Sequence, residues 1–327
     1  MLRVAFAGGF AATFAPLVRP SLKIPCEIVV VADEAEAAGS LGDIDALVTL
    51  AFTPAMGAAA GSRLKLVQLP AAGLDRIDRA ALPAGVALAN AYGHEAGIAE
   101  YIMGAMVALT RDFRALDAGL RAGDRPGQWA PGRPRSPLSP ELAGATLGIL
   151  GHGHIGAALA PRARAFDMEV VAIRRDTARG AGGGATLLGG LDRLDELLRA
   201  SDYLAITLSL NERTRGLIGA RELALMKPGA RLVNVARAEI VDEAALFDAL
   251  SSGRLAGAAL DVWYRYPRDD RPTAPAALPF HTLPNVLMTP HVSGATEGMA
   301  AARAAVVASN IERIARGGRP INEVTAP

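Results

Sequence analysis

Three glycines are spaced as Gly151-x-Gly153-x-x-Gly156, directly after an apolar run and before a stretch of helical character. Such spacing permits a tight turn, lets the backbone approach a pyrophosphate and packs a helix closely on a strand. The anion then meets the free N–H groups at the helix N-terminus. Chance spacing is the alternative in a chain with 35 glycines. The strand before the motif and the βαβ pattern after it favour a dinucleotide site that also includes His154 and Ile155.

Two arginines follow the next predicted strand, at the place where an NAD-binding protein usually carries an acid for the ribose hydroxyls. Arg174 takes that place and Arg175 follows it. A guanidinium can pair with the 2′-phosphate of NADP, bidentately where the geometry allows. The alternatives are two solvated arginines at a strand end, or Asp176 reaching the ribose. We therefore expect NADP(H) as the favoured cofactor, with NAD(H) as the alternative.

Arg237 and His291 each stand at the end of a predicted strand, in the stretches NVAR and TPH. Open α/β sheets bind ligands at the carboxyl ends of their strands, so both residues fall where a ligand is expected. The planar fork of arginine suits a carboxylate better than lysine does, and an imidazole can exchange a proton near neutral pH. The alternative is that each is an ordinary polar residue at a strand end. We expect no metal ion at these residues.

Short apolar runs alternate with helical patterns along most of the chain, which is typical of βαβ units and parallel sheets. The predicted strands are Leu2–Ala7, Glu27–Ala32, Ala46–Leu50, Leu64–Leu69, Val86–Ala89, Thr146–Leu150, Glu169–Ile173, Tyr203–Leu208, Arg231–Val235, Ala258–Val262 and Val286–Thr289. The stretch Gly180–Gly190 is rich in glycine and is predicted to be a loop. The sequence therefore predicts an α/β protein.

Helical periodicity predicts two long helices. Apolar residues recur at steps of three or four from Ile98 to Leu120, and Gly123 is the expected stop. A C-terminal helix is predicted over Thr296–Arg316, with Ser293 as its cap. The proline-rich stretch from Pro126 to Pro140 is expected to form an arm, a lid or part of a subunit interface.

The length of 327 residues favours two domains, and 51% hydrophobic with 20% charged residues is a globular composition. A net charge of +1 provides no basic field for nucleic acid or an anionic membrane. The single cysteine, Cys26, excludes an intramolecular disulfide and is expected to be a buried thiol in a reducing compartment. Neither a signal peptide nor a membrane-spanning apolar run is recognisable, so we expect a cytoplasmic protein.

Four further stretches join the glycine motif in a resemblance to the D-2-hydroxyacid dehydrogenase family. They are QLPAAGLDRID (68–78), NAYGHEAGIAEYIM (90–103), LVNVARAEIVDEAALFDALSSGRLAGAALDV (232–262) and LPNVLMTPHVSG (283–294). The resemblance covers essentially the whole chain. It implies two Rossmann-like domains with parallel sheets and an active-site cleft between them. The substrate domain would comprise residues 1–98 with 295–327, and the dinucleotide-binding domain residues 99–294. It also implies a homodimer that associates through the cofactor domain.

The resemblance further implies roles for individual residues. Arg237 would hold the carboxylate and carbonyl of a 2-keto acid, and His291 would be the acid in reduction and the base in oxidation. Further substrate contacts are expected at Phe52, Ala72, Gly73, Tyr92 and His94. Further cofactor contacts are expected at Thr207, Leu208, Val235, Ala236, Asp261, Ser293 and Gly294. For Asp261 the alternative is an aspartate that caps a turn, and for His94 a structural histidine.

One position departs from the family pattern. The usual third catalytic residue, a glutamate in a DVFxxEP-like stretch, is replaced by Tyr266 in DVWYRYP. A carboxylate raises the pKa of a neighbouring imidazole, and a neutral tyrosine cannot do so by charge. Formate dehydrogenases of the same superfamily carry glutamine there. We hypothesise that His291 has a lower pKa than in glutamate-bearing relatives, with Asp269 or Asp270 as an alternative acid.

The leading interpretation is an NADPH-preferring reductase of a 2-keto acid that works by reversible hydride transfer. A small-anion dehydrogenase of the formate kind is a second interpretation, suggested by the missing glutamate and the DVW stretch. A third is a protein that binds dinucleotide without catalysis, as some corepressors of this superfamily do; retention of Arg237 and His291 argues against it. An apolar or aromatic substrate side chain is suggested by four aromatic residues expected near the site: Phe52, Tyr92, Trp263 and Tyr266.

Overall fold

The computed structural model describes residues 1–124, 129–135, 138–179, 182–267 and 271–324. The chain forms two compact units, one of Met1–His94 with Ala295–Pro327 and one of Glu95–Gly294. Each unit is an α/β fold built on its own parallel sheet, which confirms the predicted fold class. No helix among the described residues combines the length and the apolar character that crossing a membrane requires.

The first unit is built on a parallel sheet of short strands. Its strands are β1 (Leu2–Ala7), β2 (Cys26–Val31), β3 (Ala46–Thr49), β4 (Leu66–Gln68) and β5 (Ala87–Ala89). They lie in the order β2-β1-β3-β4-β5, and each of these neighbouring pairs is parallel. The helices between them are α1 (Gly9–Ala12), α2 (Ala15–Val18), α3 (Glu34–Ser40) and α4 (Pro54–Ala59). This is the order of a doubly wound fold, in which ligands bind beyond the carboxyl ends of the strands.

The second unit carries the glycine motif on a larger parallel sheet. Its strands are β6 (Thr146–Leu150), β7 (Glu169–Ile173), β8 (Thr186–Gly189), β9 (Tyr203–Ile206), β10 (Arg231–Asn234), β11 (Gly257–Leu260) and β12 (Val286–Met288). Its helices are α5 (Glu95–Arg111), α6 (Phe113–Ala122), α7 (His154–Arg164), α8 (Leu194–Ala200), α9 (Ala220–Leu225) and α10 (Glu243–Ser251). The sheet order is β12-β11-β10-β9-β6-β7-β8. The order reverses between β6 and β9, which is where a Rossmann fold binds its dinucleotide.

The strands of the second unit are apolar on both faces. Leu147 and Ile149 of β6 belong to one buried cluster, whereas Leu150 and Ile206 belong to a cluster on the other face. Successive side chains of a strand point to opposite faces, so both faces of this sheet are covered. A sheet packed on both sides holds its strand ends firmly, and those ends carry the functional residues.

The C-terminal helix, α11 (Glu297–Ala315), returns to the first unit. It is capped by Thr296, whose hydroxyl accepts the N–H of Met299 at 3.1 Å. The predicted cap, Ser293, was wrong because that residue is buried in a turn of the second unit. The helix contributes to the core of the first unit through Met299, Ala304, Val307, Ala308 and Ile311.

Two features at the edges of the sheets differ from the sequence-based expectation: the presence of β8 and the burial of Cys26. β8 pairs in parallel with β7 inside the stretch predicted to be a loop. Its apolar residues are only half-buried and stand among glycines, so the sequence carries little strand signal there. Cys26, which we expected to be buried, is half-buried because it begins β2 at the edge of the first sheet.

The helix predicted from Ile98 to Leu120 is in fact two helices. Asp112 adopts a left-handed conformation (φ 48°, ψ 48°) between α5 and α6, and a left-handed residue interrupts helical hydrogen bonding. The apolar periodicity continues across the break and so cannot indicate it. No residue of α6 is buried, and Phe113, Leu116 and Leu120 are 52, 52 and 54% exposed. Parts of the predicted proline-rich arm, residues 125–128 and 136–137, lie outside the described residues.

Candidate active site

The glycine motif forms the turn between β6 and α7. Gly151 has a φ of +107°, and a Cβ there would lie 2.6–2.8 Å from atoms of Leu208, so the position requires glycine. The N–H groups of Gly151 and His152 both donate to the carbonyl of Ile173, at 3.2 and 2.9 Å. The Thr207 hydroxyl donates to the Gly151 carbonyl at 2.7 Å. The turn is therefore tied to the ends of both neighbouring strands.

The N-terminus of α7 faces open space. Gly153 caps the helix, and a Cβ built on it meets no atom of the described residues within 4 Å. At Gly156 a Cβ would lie 3.1 Å from the side chain of Ile149, so the helix packs closely on β6. In the first turn His154 is exposed and Ile155 is half-buried. Backbone N–H groups at a helix N-terminus, with room beside them, fit a pyrophosphate.

Two arginines begin the segment after β7. Arg174 is half-buried and Arg175 is exposed, as is Asp176. The N–H of Arg174 donates to the carbonyl of Gly189 on β8 at 2.9 Å. The unexpected strand β8 therefore fixes the backbone from which Arg174 extends. A guanidinium that extends from this strand end fits an anionic substituent on the ribose of a bound nucleotide.

His152 lies within the glycine motif but was not singled out from the sequence. Its side chain is 1% exposed, and neither ring nitrogen has a hydrogen-bond partner among the described residues. Burial lowers its pKa below the ordinary value of 6.5, and the charge of Arg174 lowers it further. The available signal was a titratable side chain between the first two glycines of the motif.

Arg237 extends from a turn that Asn234 holds in place. Asn234, the last residue of β10, accepts the N–H of Ala236 at 3.0 Å and donates to the Arg237 carbonyl at 2.9 Å. The half-buried guanidinium donates to the Ala236 carbonyl at 2.7 Å. Val235 and Ala236 are themselves buried. Asn234, which sequence reasoning missed, therefore sets the turn that presents Arg237.

His291 lies in a left-handed turn beyond β12, with a φ of +60°. Asp261 holds this turn from the end of β11, where it is wholly buried. Its carboxylate accepts the Thr289 hydroxyl at 2.6 Å. It also accepts the N–H groups of Val292 and Ser293, at 2.8 Å each. The Asp261 carboxylate therefore accepts three hydrogen bonds from the turn that carries His291. This arrangement corresponds to the alternative interpretation, an aspartate that caps a turn.

Thr289 receives two more bonds in the same turn. The Tyr101 hydroxyl lies 2.6 Å from the Thr289 hydroxyl, which in turn donates to Asp261. The indole N–H of Trp263 donates to the Thr289 carbonyl at 2.8 Å. Gly294 follows the turn and is half-buried. The backbone on both sides of His291 is thus anchored by α5 and by the end of β11.

The hydroxyl oxygen of Tyr266 lies 2.8 Å from Nδ1 of His291, with the two ring centres 5.7 Å apart. His291 is exposed, yet the protein packed around its ring lowers its pKa. The charge of Arg237 lowers this pKa further, and Asp261 opposes that effect. Outside the described residues lie the two alternative acids, Asp269 and Asp270.

In the first unit, the loop after β4 presents two backbone donors. The N–H groups of Ala72 and Gly73 have no acceptor among the described residues. The side-chain amide of Asn90 donates to the Ala72 carbonyl at 3.0 Å and so orients this loop. Tyr92 and His94, both half-buried, follow β5. The loop offers an anion two N–H groups.

Phe52 corrects one expectation. We expected its ring near the substrate, but it is 0% exposed and belongs to the core of the first unit together with Met56 and Leu69. Its backbone is also bonded on both sides, to the Arg76 carbonyl at 3.1 Å and the Asp78 N–H at 2.8 Å. The apolar ring is more stable inside the core than at a solvated site, so Phe52 packs there.

The candidate functional groups of the second unit all lie at the end of its sheet where the strands have their carboxyl ends. The glycine turn, Arg237 and His291 each follow the carboxyl end of a strand in the same parallel sheet. β10, β11 and β12 are neighbours, so Arg237, Asp261 and His291 follow three adjacent strands. The edge can therefore bind an anionic nucleotide, bind a carboxylate and exchange a proton.

Comparison with known proteins identifies the family of this chain. Residues 103–293 match the family model described as D-isomer specific 2-hydroxyacid dehydrogenase, NAD binding domain. The chain belongs to this family, as its sequence predicted. Membership supports NAD(P)-dependent 2-hydroxyacid dehydrogenase or reductase activity in general.

Individual relatives cover most of the chain. D-3-phosphoglycerate dehydrogenase of Methanocaldococcus jannaschii is 34% identical over 81% of this chain; the match covers 48% of that protein, so this chain spans about half its length. Glyoxylate reductase of Thermococcus gammatolerans is 33% identical over 85% of this chain and 82% of its own. A solved D-isomer specific 2-hydroxyacid dehydrogenase from Xanthobacter autotrophicus Py2, in complex with NADPH and MES, has a TM-score of 0.80 at 25% identity, covering 99% of this chain and 98% of that one.

Proposed function

We propose that this protein reduces a 2-keto acid to the 2-hydroxy acid with NADP(H), reversibly, and that Arg237 and His291 carry the reaction. The observation behind this proposal is the placement of both residues on the sheet edge that bears the glycine turn. Similarity to proteins named glyoxylate reductase supports the same class of substrate.

The chemistry follows from the two side chains. The nicotinamide, when bound, supplies a hydride to the carbonyl carbon. Arg237 binds the substrate carboxylate through its planar fork and so orients the keto group. His291 gives a proton to the carbonyl oxygen during reduction and takes it back during oxidation. The negative charge that develops on that oxygen is thereby neutralised as it forms.

The preference for NADP(H) rests on the end of β7. Arg174 stands where an NAD site carries an acid, Arg175 follows it, and a guanidinium suits a 2′-phosphate. The relative from Xanthobacter autotrophicus Py2 was solved with NADPH. In the first unit, the N–H groups of Ala72 and Gly73 are suited to a carboxylate, and we assign that loop, with Tyr92 and His94, to substrate binding.

Self-association through α6 is part of the proposal. Phe113, Leu116 and Leu120 recur at steps of three and four, so they form one apolar stripe along this helix. About half of each side chain is exposed, and an uncovered apolar stripe favours association. The family resemblance implies a homodimer through the cofactor domain, and α6 belongs to that unit. A second copy of this chain is therefore the proposed occupant.

The test is NADPH oxidation measured with a panel of 2-keto acids that includes glyoxylate, hydroxypyruvate and phenylpyruvate. We expect turnover with at least one of them, and a loss of about 100-fold or more in His291→Ala with NADPH binding retained. Arg237→Lys keeps the charge but loses the fork, so it should chiefly raise KM. Tight NADPH binding without turnover on the panel would instead support a dinucleotide-sensing protein.

A further inference from the structure

Tyr266 and His291 form a direct pair. The Tyr266 hydroxyl oxygen lies 2.8 Å from Nδ1 of His291, while the described residues offer Nε2 no hydrogen-bond partner. The two nitrogens of an imidazole are distinct, and the partner of one decides what the other can do. With Nδ1 occupied, Nε2 is the nitrogen that remains for a substrate.

The backbone of Trp263 orients the Tyr266 hydroxyl. Its N–H donates to the phenol oxygen at 3.2 Å and so fills one of the two lone pairs. Burial raises the pKa of Tyr266, so the phenol keeps its hydrogen near neutral pH. Because the Trp263 N–H already occupies one side of the phenol oxygen, the phenol hydrogen is available for donation to Nδ1 of a neutral imidazole. The second lone pair can accept Nδ1–H once the ring is protonated.

A carboxylate in this position would act differently. It only accepts hydrogen bonds, so it keeps a hydrogen on Nδ1 and favours the imidazolium by its charge. The phenol holds the ring in both protonation states and adds no charge. The charged groups near the pair are Arg237 after β10, Asp261 after β11, and Glu239 in the short 3-10 helix Ala238–Ile240. Arg237 and Asp261 act on His291 in opposite directions.

We propose that Tyr266 is the positioning residue of His291: its hydroxyl holds Nδ1, keeps the hydrogen of the neutral ring on Nε2, and directs proton exchange through Nε2. In reduction the imidazolium gives its Nε2 proton to the carbonyl oxygen while Nδ1–H remains bonded to the phenol. This step leaves the hydrogen of the neutral ring on Nδ1, and a proton from solvent that adds to Nε2 restores the imidazolium. Oxidation is the reverse step and uses the same Nδ1–H form, with the phenol oxygen as acceptor. The hydroxyl turns back to donate to Nδ1, with the hydrogen of the neutral ring on Nε2, only when the imidazolium loses its Nδ1 proton instead. The exchange with substrate rests on the proposed function, whereas the tautomer can be measured without turnover.

The tautomer is measured by NMR on the full-length protein labelled with ¹⁵N-histidine, with and without NADPH. The chain has five histidines, and His291→Gln identifies the relevant signals. In wild type we expect the neutral ring to carry its hydrogen on Nε2. Tyr266→Phe should give a mixture of tautomers, because the ring loses its partner. Tyr266→Glu should place the hydrogen on Nδ1 and raise the pKa of His291 by about one unit or more.

A matched control is Tyr264→Phe. This variant removes another hydroxyl of the same segment, one that donates to the Val241 carbonyl at 2.9 Å. It should leave the His291 signals as in wild type. In the reduction assay, Tyr266→Phe should lower kcat about tenfold or more with little change in KM, because Arg237 still binds the substrate.

The outcomes separate the two proposals. Tyr266→Phe with the wild-type tautomer and the wild-type kcat would reject the positioning role even in an active enzyme. A wild-type protein that binds NADPH and reduces no keto acid would reject the proposed function, and the tautomer of His291 would then decide the inference alone. A neutral wild-type ring with its hydrogen on Nδ1 would overturn the inference in either case.

Discussion

The carboxylate of Asp261 accepts the backbone N–H of Val292 at 2.8 Å, and Val292 directly follows His291. A non-glycine residue in the left-handed region costs about 1–3 kcal/mol unless the surroundings hold it there. Asp261 stabilises this conformation because it accepts hydrogen bonds from Thr289, Val292 and Ser293, on both sides of His291.

Asp261→Asn tests this role. One acceptor oxygen becomes an NH₂ group that faces backbone N–H donors, so we expect a loss of about 1–3 kcal/mol in the free energy of unfolding. We also expect kcat to fall at least about tenfold, because His291 loses its orientation. Urea unfolding and keto-acid reduction measure the two effects. Asp248→Asn, an exposed site on α10, is the control and should change neither; wild-type kcat in Asp261→Asn would contradict the role.

Gly151→Ala and Gly153→Ala should separate folding from nucleotide binding. A methyl group on Gly151 would overlap Leu208 and occupy a φ of +107°, so unfolding free energy should fall by about 1 kcal/mol or more. A methyl group on Gly153 meets no described atom within 4 Å, so stability should hold while NADPH affinity falls, because the methyl fills the space for the pyrophosphate. Thermal unfolding and fluorescence titration with NADPH distinguish them. Equal loss of stability in both variants would refute this account of the turn.

Arg174→Ala should weaken NADPH binding more than NADH binding. A hydrogen bond between charged groups contributes about 1.5–3 kcal/mol, so the NADPH Kd should rise roughly 10- to 100-fold while the NADH Kd changes little. Calorimetric titration with both nucleotides measures the ratio. Arg199→Ala, on the exposed end of α8, is a matched control. An equal change for both nucleotides in Arg174→Ala would remove this residue from 2′-phosphate recognition.

His152 should make stability depend on pH. Its pKa is lowered in the folded state, so below the unfolded value of 6.5 the unfolded chain binds more protons than the folded chain. Unfolding free energy should therefore fall as the pH drops below 6.5, and His152→Leu should reduce that fall. Urea unfolding from pH 7.5 to about 5 measures both slopes. Identical slopes for the two proteins would show that His152 does not contribute.

Leu116→Asp should convert a dimer into a monomer. A charge in the middle of the α6 stripe has to be desolvated on association, which opposes the contact. Because no residue of α6 is buried in the chain itself, the variant should still fold. Analytical ultracentrifugation gives the mass, and Leu17→Asp, an exposed site in the first unit, serves as the comparison. A dimer that persists in Leu116→Asp would exclude this stripe as the interface.

Strands that form continuous apolar runs could be predicted from the sequence. The edge strand β8 and the break between α5 and α6 could not. β1, β6 and β7 agree with their predicted bounds because each is an apolar run at the centre or inner part of a sheet. β8 was missed because an edge strand needs little hydrophobicity. The break at Asp112 was missed because a single left-handed residue leaves the helical period unchanged.

The candidate active site was also predictable only in part. Arg237 and His291 could be placed at strand ends because the carboxyl ends of parallel strands lie at one edge. The bonds made by Asp261 and Asn234 depend on which strands are neighbours, and the sequence does not state the sheet order. The burial of Phe52 depends on the same tertiary information.

The order of the segments along the chain means that the two units are completed at different times during synthesis. The core of the first unit includes Val4 and Phe6 at one end of the chain and Val307 and Ile311 of α11 at the other. The ribosome therefore releases all of Glu95–Gly294 before the earlier segment receives its closing helix. Since domains fold as units while they emerge, the nucleotide-binding half can mature first and the half that starts the chain matures last.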